Sequence, residues 1–381
     1  MSGACSRSSP CATASRSPCG RTATASHDRP PRTDDEARPC SASPVLPTST
    51  INAVVMIELD AAQVSRVRFA VAPLWEVGLA ALVLRRSDPG ALFRRWAERS
   101  RRQVDAATLS RLLSLTAGRD FVPDIFSVLP GGDQPGIADA RAHLQGLSDE
   151  LLARDLLRLD RAHHGTDDWI RALRDDHDRA REEIADVITD FWSGAIAPHW
   201  SAFRRLARTD VARHAIAAAE GGQGAMLDDL HPGVTWTGAS LDIAGACDTS
   251  FGPTPAEDGV VLTPSAFAWP HVHVMSNAPF QPAIAYGVRG FATLWGDPTE
   301  GALSPAVERL LGAGRARVAA AISTPATTTE LAHALGVAPA TVSEHLSTLT
   351  DARLGVAQRE GRSVVYSLTD LGREVLFPEA S

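Results

Sequence analysis

The clearest hydrophobic pattern of the chain lies near its C-terminus. Within residues 327–349, apolar residues recur every three or four positions, which is the spacing of one face of a helix. A first stripe comprises Leu331, Ala332 and Leu335, and a second comprises Val342, Leu346 and Leu349. The pattern predicts two short amphipathic helices, one directly after the other.

Residues with special backbone preferences mark the ends of these two helices. Thr327 and Glu330 have the spacing of a capping box, in which each side chain accepts a hydrogen bond from the other residue's backbone N–H. Gly336 stands where the first helix must end, because Gly adopts the left-handed conformation without steric cost. Pro339 suits the first turn of the second helix, where its missing N–H is not needed. Two short helices joined by such a turn form a helix-turn-helix.

The next segment has the two-residue period of strands. Residues 356–359 and 363–368 predict a hairpin around Glu360-Gly361-Arg362. Residues 315–322 predict a helix ahead of the helix-turn-helix. Helices followed by a hairpin with a basic tip predict a winged helix.

Further upstream, residues 56 to about 206 have mainly helical periodicity. Val67–Leu84 predicts a buried apolar helix, and Gly90–Val104 predicts an amphipathic one. The polar face of the second carries Arg94, Arg95, Arg99, Arg101 and Arg102. Such a charge run is typical of a solvated helix face, and a contact to nucleic-acid phosphate is the alternative. Asp167–Phe203 predicts a long helical region with a break at Pro198.

The pattern changes after Gly221, where short strand-like segments appear. Strands are predicted at 233–243, 259–262, 271–275 and 282–288. The predicted fold class is therefore α+β, with a mainly helical N-terminal domain that includes a small antiparallel sheet, and a C-terminal winged helix-turn-helix domain.

Composition divides the chain into three parts. Residues 1–55 are rich in Ser, Thr, Pro, Ala and Arg and are predicted to be disordered. Residues 56–300 are predicted to form a regulatory or dimerisation domain, and residues 301–381 the winged domain, with a linker around Gly296-Asp297-Pro298. Because regular patterns begin at Met56, we hypothesise that Met56 is the natural start. Deletion of the first 55 residues would then leave the melting temperature and DNA affinity unchanged.

Charge and cysteine content restrict the function classes. The 381 residues carry a formal net charge of −8, so any nucleic-acid contact must be local. Four of the five Cys lie in the first 40 residues, at wider spacings than metal sites use, and we interpret them as incidental. No segment reaches the ~18 apolar residues of a membrane span, and the N-terminus lacks a secretion pattern. A cytoplasmic protein without membrane contact is expected.

The residues ELAHALGVAPATVSEHLSTL and REGRSVVYSLT closely resemble the ArsR-like family of bacterial transcription regulators. The resemblance implies a regulator that binds an operator in double-stranded DNA as a homodimer. Metal sensors of this family commonly carry a Cys pair on the first helix of the helix-turn-helix. The matching residues 329–335 contain no Cys and only His333, which we interpret as a surface residue. Neither a metal effector nor a cofactor is therefore expected.

Residues 56–300 also resemble a poorly characterised domain that precedes winged helices in high-GC bacterial regulators. The similarity is carried by MIELDAAQVSRVRFA, LWE, FVPDIF, LHPGVTW and PAIAYGVRG. This resemblance implies a regulator with its winged domain in second place, and it implies no particular ligand.

The face of the second helix opposite its apolar stripe is predicted to meet DNA, and the wing to meet phosphate or a minor groove. Ser and Thr can bond to bases or phosphates, and Glu344 could accept from a cytosine amine although it repels phosphate. The expected DNA-binding residues are Pro339, Ala340, Thr341, Ser343, Glu344, His345, Ser347 and Thr348 on the helix, and Arg359 and Arg362 in the wing.

Aromatic residues are concentrated in the strand-rich part. Each is explained individually as core, but as a set they favour a pocket for a small organic molecule. We hypothesise that an apolar effector binds among Trp236, Trp269, Phe280 and Tyr286.

Two other function classes remain open. His271 and His273 would face the same side of a strand and could share a metal with His231 or Asp242. Residues 56–300 would then be a metal-dependent enzyme with an accessory winged helix. No third metal ligand lies at a spacing typical of metal sites, and the sequence has no nucleophile-elbow or nucleotide-binding motif. We therefore expect no enzyme and no catalytic residues. The other class is a protein-interaction module built on the winged domain.

Overall fold

The computed structural model describes most of the chain after residue 53, and the residues that it describes belong to one compact unit. The predicted disordered segment, except for its last two residues, and the predicted linker 296–298 lie outside the described residues. The described residues are 54–117, 121–127, 137–244, 247–248, 258–275, 280–295, 303, 305–360 and 363–377.

Helices make up most of the described chain. The α-helices are α1 Ala61–Ser65, α2 Pro73–Arg85, α3 Ala91–Gln103, α4 Ala106–Ser114, α5 Ala138–Gly146, α6 Asp149–Ala162, α7 Asp168–Asp175, α8 His177–Phe191, α9 Ala197–Asp228, α10 Pro305–Leu311, α11 Ala313–Ala321, α12 Thr328–Leu335, α13 Pro339–Asp351 and α14 Asp370–Leu376. Short 3-10 helices span Asp124–Phe126 and Phe291–Trp295, and a π-helix spans Trp192–Ile196.

The strands form three small sheets, which confirms the predicted α+β class. They are β1 Val54–Glu58, β2 Arg68–Phe69, β3 Val234–Trp236, β4 Ser240–Ala244, β5 Cys247–Asp248, β6 Val261–Ser265, β7 His273–Met275, β8 Ala283–Gly287, β9 Ala326–Thr327, β10 Gly355–Glu360 and β11 Ser363–Leu368. The sheet orders are β1-β4-β3, β2-β6-β8-β7-β5 and β10-β11-β9.

The middle sheet differs from the antiparallel sheet that the sequence predicted. β6 pairs in parallel with β2 and β8, while β7 pairs antiparallel with β8. Every residue of β6 and β8 is buried. Parallel strands covered on both faces are made of near-continuous apolar runs, which explains why these segments show little alternation.

The predicted buried helix is α2, in which every residue from Pro73 to Leu84 is buried. The helix begins at Pro73, where the fixed φ of Pro suits the first turn, and Arg68 and Phe69 ahead of it form β2. Glu76 is therefore a carboxyl group within an otherwise apolar, buried helix.

The long helical region ahead of the sheets is interrupted by the π-helix between α8 and α9. Pro198 lies in the first turn of α9, where its missing N–H leaves no bond unmade. The irregularity expected at Pro198 therefore lies just before it, and Asp176 separates α7 from α8 by capping the latter.

Two hydrophobic cores hold the described chain together. The larger one extends from α2 and α3 through Phe291 to Leu331 and Leu346, so the N-terminal helices and the winged helix share it. The smaller one lies around β4, β6 and β8 and includes Leu241 and Tyr286.

Candidate nucleic-acid interface

The helix-turn-helix is built by the local signals that the sequence predicted. The Thr327 hydroxyl accepts from the Glu330 N–H at 3.2 Å, and the Glu330 carboxylate accepts from the Thr327 N–H at 2.6 Å. Gly336 has φ 68° and ends α12 in the left-handed conformation. α13 then begins with Pro339. The predicted capping box, stop and start are all confirmed.

The apolar stripes of α12 and α13 orient the second helix. Leu331, Val342, Leu346 and Leu349 are each no more than 1 % exposed. They belong to the same core as Ile322, the residue that follows α11. Burial of this stripe leaves the opposite face of α13 towards solvent.

The wing follows directly from α13. β10 and β11 pair antiparallel from Gly355–Leu368 to Glu360–Ser363. β9 pairs with β11 through Val365 and Thr327, which ties the wing to the start of α12. The C-terminal elements therefore have the order and pairing of a winged helix, while the hairpin tip with Arg362 lies outside the described residues.

Most of the expected DNA-contacting side chains lie on the open face of α13. Two are half-buried: the Thr348 hydroxyl donates to the Glu344 carbonyl at 3.0 Å, and the His345 ring faces α11, where a Cβ built on Gly314 would lie 3.0 Å from Nε2. The exposed residues are Pro339, Ala340, Thr341, Ser343, Glu344 and Ser347.

The open face of α13 offers hydrogen bonds but no permanent positive charge. The ionisable side chains of α13 are Glu344, His345 and Asp351, and of these His345 faces α11. Arg359 on β10 is exposed, as is Arg353, which has a positive φ of 59° just after α13. Arg353 is not among the DNA-contacting residues expected from the sequence. Its position beyond the last apolar residue of the helix was the available signal.

His333 is the residue of α12 whose position differs most from expectation. It was interpreted as a surface residue, and this is wrong, because its side chain is 5 % exposed. Its Nε2 bonds to the Gly287 carbonyl at the end of β8, and its own carbonyl accepts from the Gly290 N–H at 3.0 Å. Burial lowers the pKa of His333, so the ring is neutral at pH 7. α12 is thereby bonded to the middle sheet, which contains β8.

The basic helix α3 also contacts the C-terminal elements. The Ala91 N–H donates to the Ser323 hydroxyl at 3.3 Å, and the Arg94 guanidinium lies 4.9 Å from the Phe377 ring centre. Arg101 donates to the Leu84 carbonyl at 3.1 Å. Arg94 and Arg101, two residues considered for phosphate contact, thus make contacts within the protein.

The histidines considered as metal ligands lie in different environments. His273 lies on β7 and is 5 % exposed. His271 precedes the strand, and its backbone N–H donates to the Ala268 carbonyl. The two therefore do not alternate along one strand. Burial lowers the pKa of both His273 and His231 to about 3. Among the residues that the structure describes, no three His, Cys, Asp or Glu side chains are placed to hold a metal ion.

The four aromatic residues proposed to bind an effector divide between the two cores. Trp269 is buried in the larger core and Phe280 packs against it. Tyr286 is buried in the smaller core, against which Trp236 packs. The Tyr286 hydroxyl donates to Asp210 Oδ2 at 2.8 Å, and this hydrogen bond orients the ring.

Comparison with known proteins finds two matches along the chain. Residues 322–354 match the family described as bacterial regulatory protein, arsR family, and residues 141–292 match a family of unknown function, DUF5937. Neither a curated protein nor a solved structure matches the chain. No helix within the described ranges is long and apolar enough to cross a membrane. Residues 322–354 are therefore similar to the helix-turn-helix of arsR-family regulators and follow a region similar to DUF5937, and this similarity supports a DNA-binding transcription regulator.

Proposed function

We propose that the protein is a homodimeric regulator that recognises a specific operator in double-stranded DNA and responds to a small organic effector. The observation that carries this proposal is the open face of α13. It presents hydroxyl and carboxylate groups on a helix whose other face is held in the core. Side chains of this kind read base edges when a recognition helix enters the major groove.

The distribution of charge supports specific rather than general DNA binding. Because α13 carries Glu344 and Asp351 and no Arg, phosphate attraction has to come from outside the helix. In this proposal, Arg353, Arg359 and Arg362 supply it. Phosphate contacts position a protein and bases specify the site, so in this proposal α13 reads bases while Arg353 and the wing contact phosphate.

Arg359 provides a test of this division. Arg359→Ala should weaken binding to operator and unrelated DNA alike and reduce the salt dependence of log Kd by about one unit. Fluorescence anisotropy at several salt concentrations measures both quantities. The matched control is Arg208→Ala, an exposed arginine on α9, which should change neither. A change in operator preference with an unaltered salt slope would show that Arg359 reads bases instead.

Dimerisation follows from the small size of one winged helix. A single helix in the groove reads too few base pairs for selectivity, and two-fold dimers place their half-sites about 10–10.5 base pairs apart. We therefore expect an inverted-repeat operator and a dimer by light scattering at micromolar concentration. A monomer that retains full operator affinity would contradict this part of the proposal.

The effector response is proposed for residues 56–300. The winged helix shares its core with the N-terminal helices and is bonded to β8 through His333. A molecule that repacks this region would therefore move α12 and, with it, α13. The ligand can change operator affinity only by its differential affinity for two arrangements, typically ~1–3 kcal/mol of coupling.

A further inference from the structure

A cluster of six aromatic rings lies where α2, α3, the middle sheet and the 3-10 helix 291–295 meet. Adjacent ring centres in it are 4.5–6.1 Å apart. None of these side chains is more than 5 % exposed. The rings, called the aromatic cluster below, belong to Phe93, Trp96, Phe267, Trp269, Phe291 and Trp295.

Three buried polar atoms in or beside the aromatic cluster have no hydrogen-bond partner. They are the indole nitrogens of Trp269 and Trp295 and Oε1 of Glu76. Glu76 is adjacent to the cluster because its Oε2 accepts from the Ala266 N–H at 3.0 Å, one residue before Phe267. Buried polar atoms are nearly always paired in folded proteins, and each exception calls for an explanation. A ligand that pairs with them is such an explanation.

The backbone around the cluster is irregular in a way that is typical of binding sites. The π-helix Trp192–Ile196 presents the Ala195 carbonyl to the Trp96 indole N–H at 2.9 Å. The Trp295 ring lies 5.0 Å from the ring of His199, in the first turn of α9. Single π-turns within α-helices are rare and occur frequently at functional sites.

We propose that the aromatic cluster and Glu76 form a binding site for a hydrophobic organic cation, such as an amine or a quaternary ammonium compound. A cation is favoured because its charge interacts with both a carboxylate and the faces of aromatic rings. An apolar neutral molecule would leave Oε1 unpaired, and an anion would find no cationic side chain among Glu76 and the six rings of the cluster. The cation pairs with Oε1, and each indole N–H can donate to an oxygen acceptor where the ligand carries one.

The protonation state of the Glu76 carboxyl without a ligand is consistent with a cation-binding site. Burial raises the pKa of its carboxyl to about 8, against the opposing effect of contacts with Ser265 and the Ala266 N–H. The carboxyl is therefore mostly neutral at pH 7, which avoids an unpaired buried charge. A bound cation stabilises the ionised form, so the carboxyl loses its proton to solvent when the cation binds.

The cluster lies directly against the DNA-reading elements. Phe291 and Trp295 belong to the 3-10 helix that packs on α12, and Gly290, at its start, donates to the His333 carbonyl. Because the rings touch one another, a ligand has to part them and displace this short helix. This inference rests on the proposed function, since it identifies the chemical class of the effector.

Isothermal titration calorimetry with a matched pair of probes tests the site. Phenyltrimethylammonium is the cation, and tert-butylbenzene is its uncharged counterpart of the same shape. At pH 7 the cation should bind the full-length protein with release of close to one proton, measured by repeating the titration in buffers of different ionisation enthalpy. Its affinity should rise about tenfold per pH unit up to pH 8 and then level off. The uncharged probe should bind more weakly and without this pH dependence.

Two variants test whether the proton released on cation binding comes from Glu76. Glu76→Gln should weaken binding of phenyltrimethylammonium at least tenfold and leave tert-butylbenzene unaffected. Asp155→Asn is the matched control, because Asp155 is another buried carboxyl that accepts a backbone N–H, from Ile125 at 2.9 Å, and burial raises its pKa to about 7. This variant should bind the cation as wild type does. If Glu76→Gln does not fold, the proton release and the pH dependence of cation binding by the wild type still test the site.

Three results would overturn the site: no binding of the cation, equal or tighter binding of the uncharged probe, or cation binding without proton release. Unchanged cation binding by a folded Glu76→Gln variant would also overturn it. DNA binding by the same wild-type sample, measured without probe, distinguishes failure of the proposed DNA-binding function from failure of the cation site. Absent DNA binding refutes the proposed function, whereas intact DNA binding with a failed titration refutes only the cation site.

Discussion

The winged helix and the aromatic cluster share one hydrophobic core, but contacts of very different sequence separation build them. In the winged helix, Thr327 and Glu330 cap α12 across three residues. Beside the aromatic cluster, Glu76 bonds to a backbone group 190 residues away, and within the cluster Trp96 bonds to one 99 residues away. One region is specified locally and the other by the tertiary fold.

The two regions also expose their functional groups differently. The polar face of α13 is open, so its side chains can change with little effect on folding. The polar atoms of the aromatic cluster are buried, so a change there acts on stability as well as on binding. Substitutions in the two regions should therefore separate DNA affinity from stability.

The largest expected effect is the pH dependence of stability caused by Glu76. The folded protein retains this proton up to about pH 8, while the unfolded chain loses it near 4.5. Wild type should therefore lose stability as pH rises between these values, by about 4 kcal/mol relative to Glu76→Gln. Guanidinium unfolding of both proteins at pH 5, 7 and 9 measures the difference.

The lowered pKa values of His231 and His273 have the opposite effect. Their stabilising contribution is complete above about pH 6.5 and is lost as pH falls towards 3. Wild type and Glu76→Gln share this loss, so subtracting their two curves isolates Glu76. Parallel curves from pH 5 to 9 would mean that the carboxyl is not held neutral in the folded protein.

Ser347→Asp should have the next largest effect, and on DNA binding only. Ser347 is exposed on the open face of α13, so a carboxylate there would oppose DNA phosphate. Like charges brought together at an interface cost several kcal/mol, and we expect about a hundredfold loss of operator affinity. Anisotropy measures affinity, and thermal unfolding should be unchanged. Ser201→Asp, on the exposed side of α9, is the control, and an equal loss from it would show a general charge effect.

Thr327→Ala should have the smallest effect, about 1 kcal/mol of stability from the loss of a helix cap. Thr329→Ala provides the comparison, since Thr329 is exposed within the same helix and makes no cap. Urea unfolding of the two variants measures the difference. Equal stability of the two would indicate that α12 is held by its tertiary contacts alone.

The sequence was sufficient to predict the winged helix because its signals are short-ranged. Thr327, Gly336 and Pro339 act through their own backbone preferences, and the apolar stripe requires only a helical period. His333 was misjudged for the opposite reason. Its partner, the Gly287 carbonyl, lies 46 residues upstream, and nothing in the local pattern indicates that they meet.

The aromatic residues show the same limit. Their concentration in the strand-rich part was visible in the sequence, but their assignment to two cores depends on how the sheets pack. Trp269 and Trp236 are close in the chain and lie against different cores. For Glu76, the available signal was a charged residue within an apolar helix, which indicates a buried carboxyl but not its partners.

The most direct test of the central claim is selection of binding sites from random double-stranded DNA by the purified full-length protein. If α13 reads bases, the recovered fragments will share a motif made of two inverted half-sites about 10–10.5 base pairs apart. The same selection with Ser343→Ala or Ser347→Ala will relax the motif at particular positions. Recovery of fragments without a shared motif, or an identical motif from both variants and wild type, would contradict the claim that this face of α13 recognises an operator.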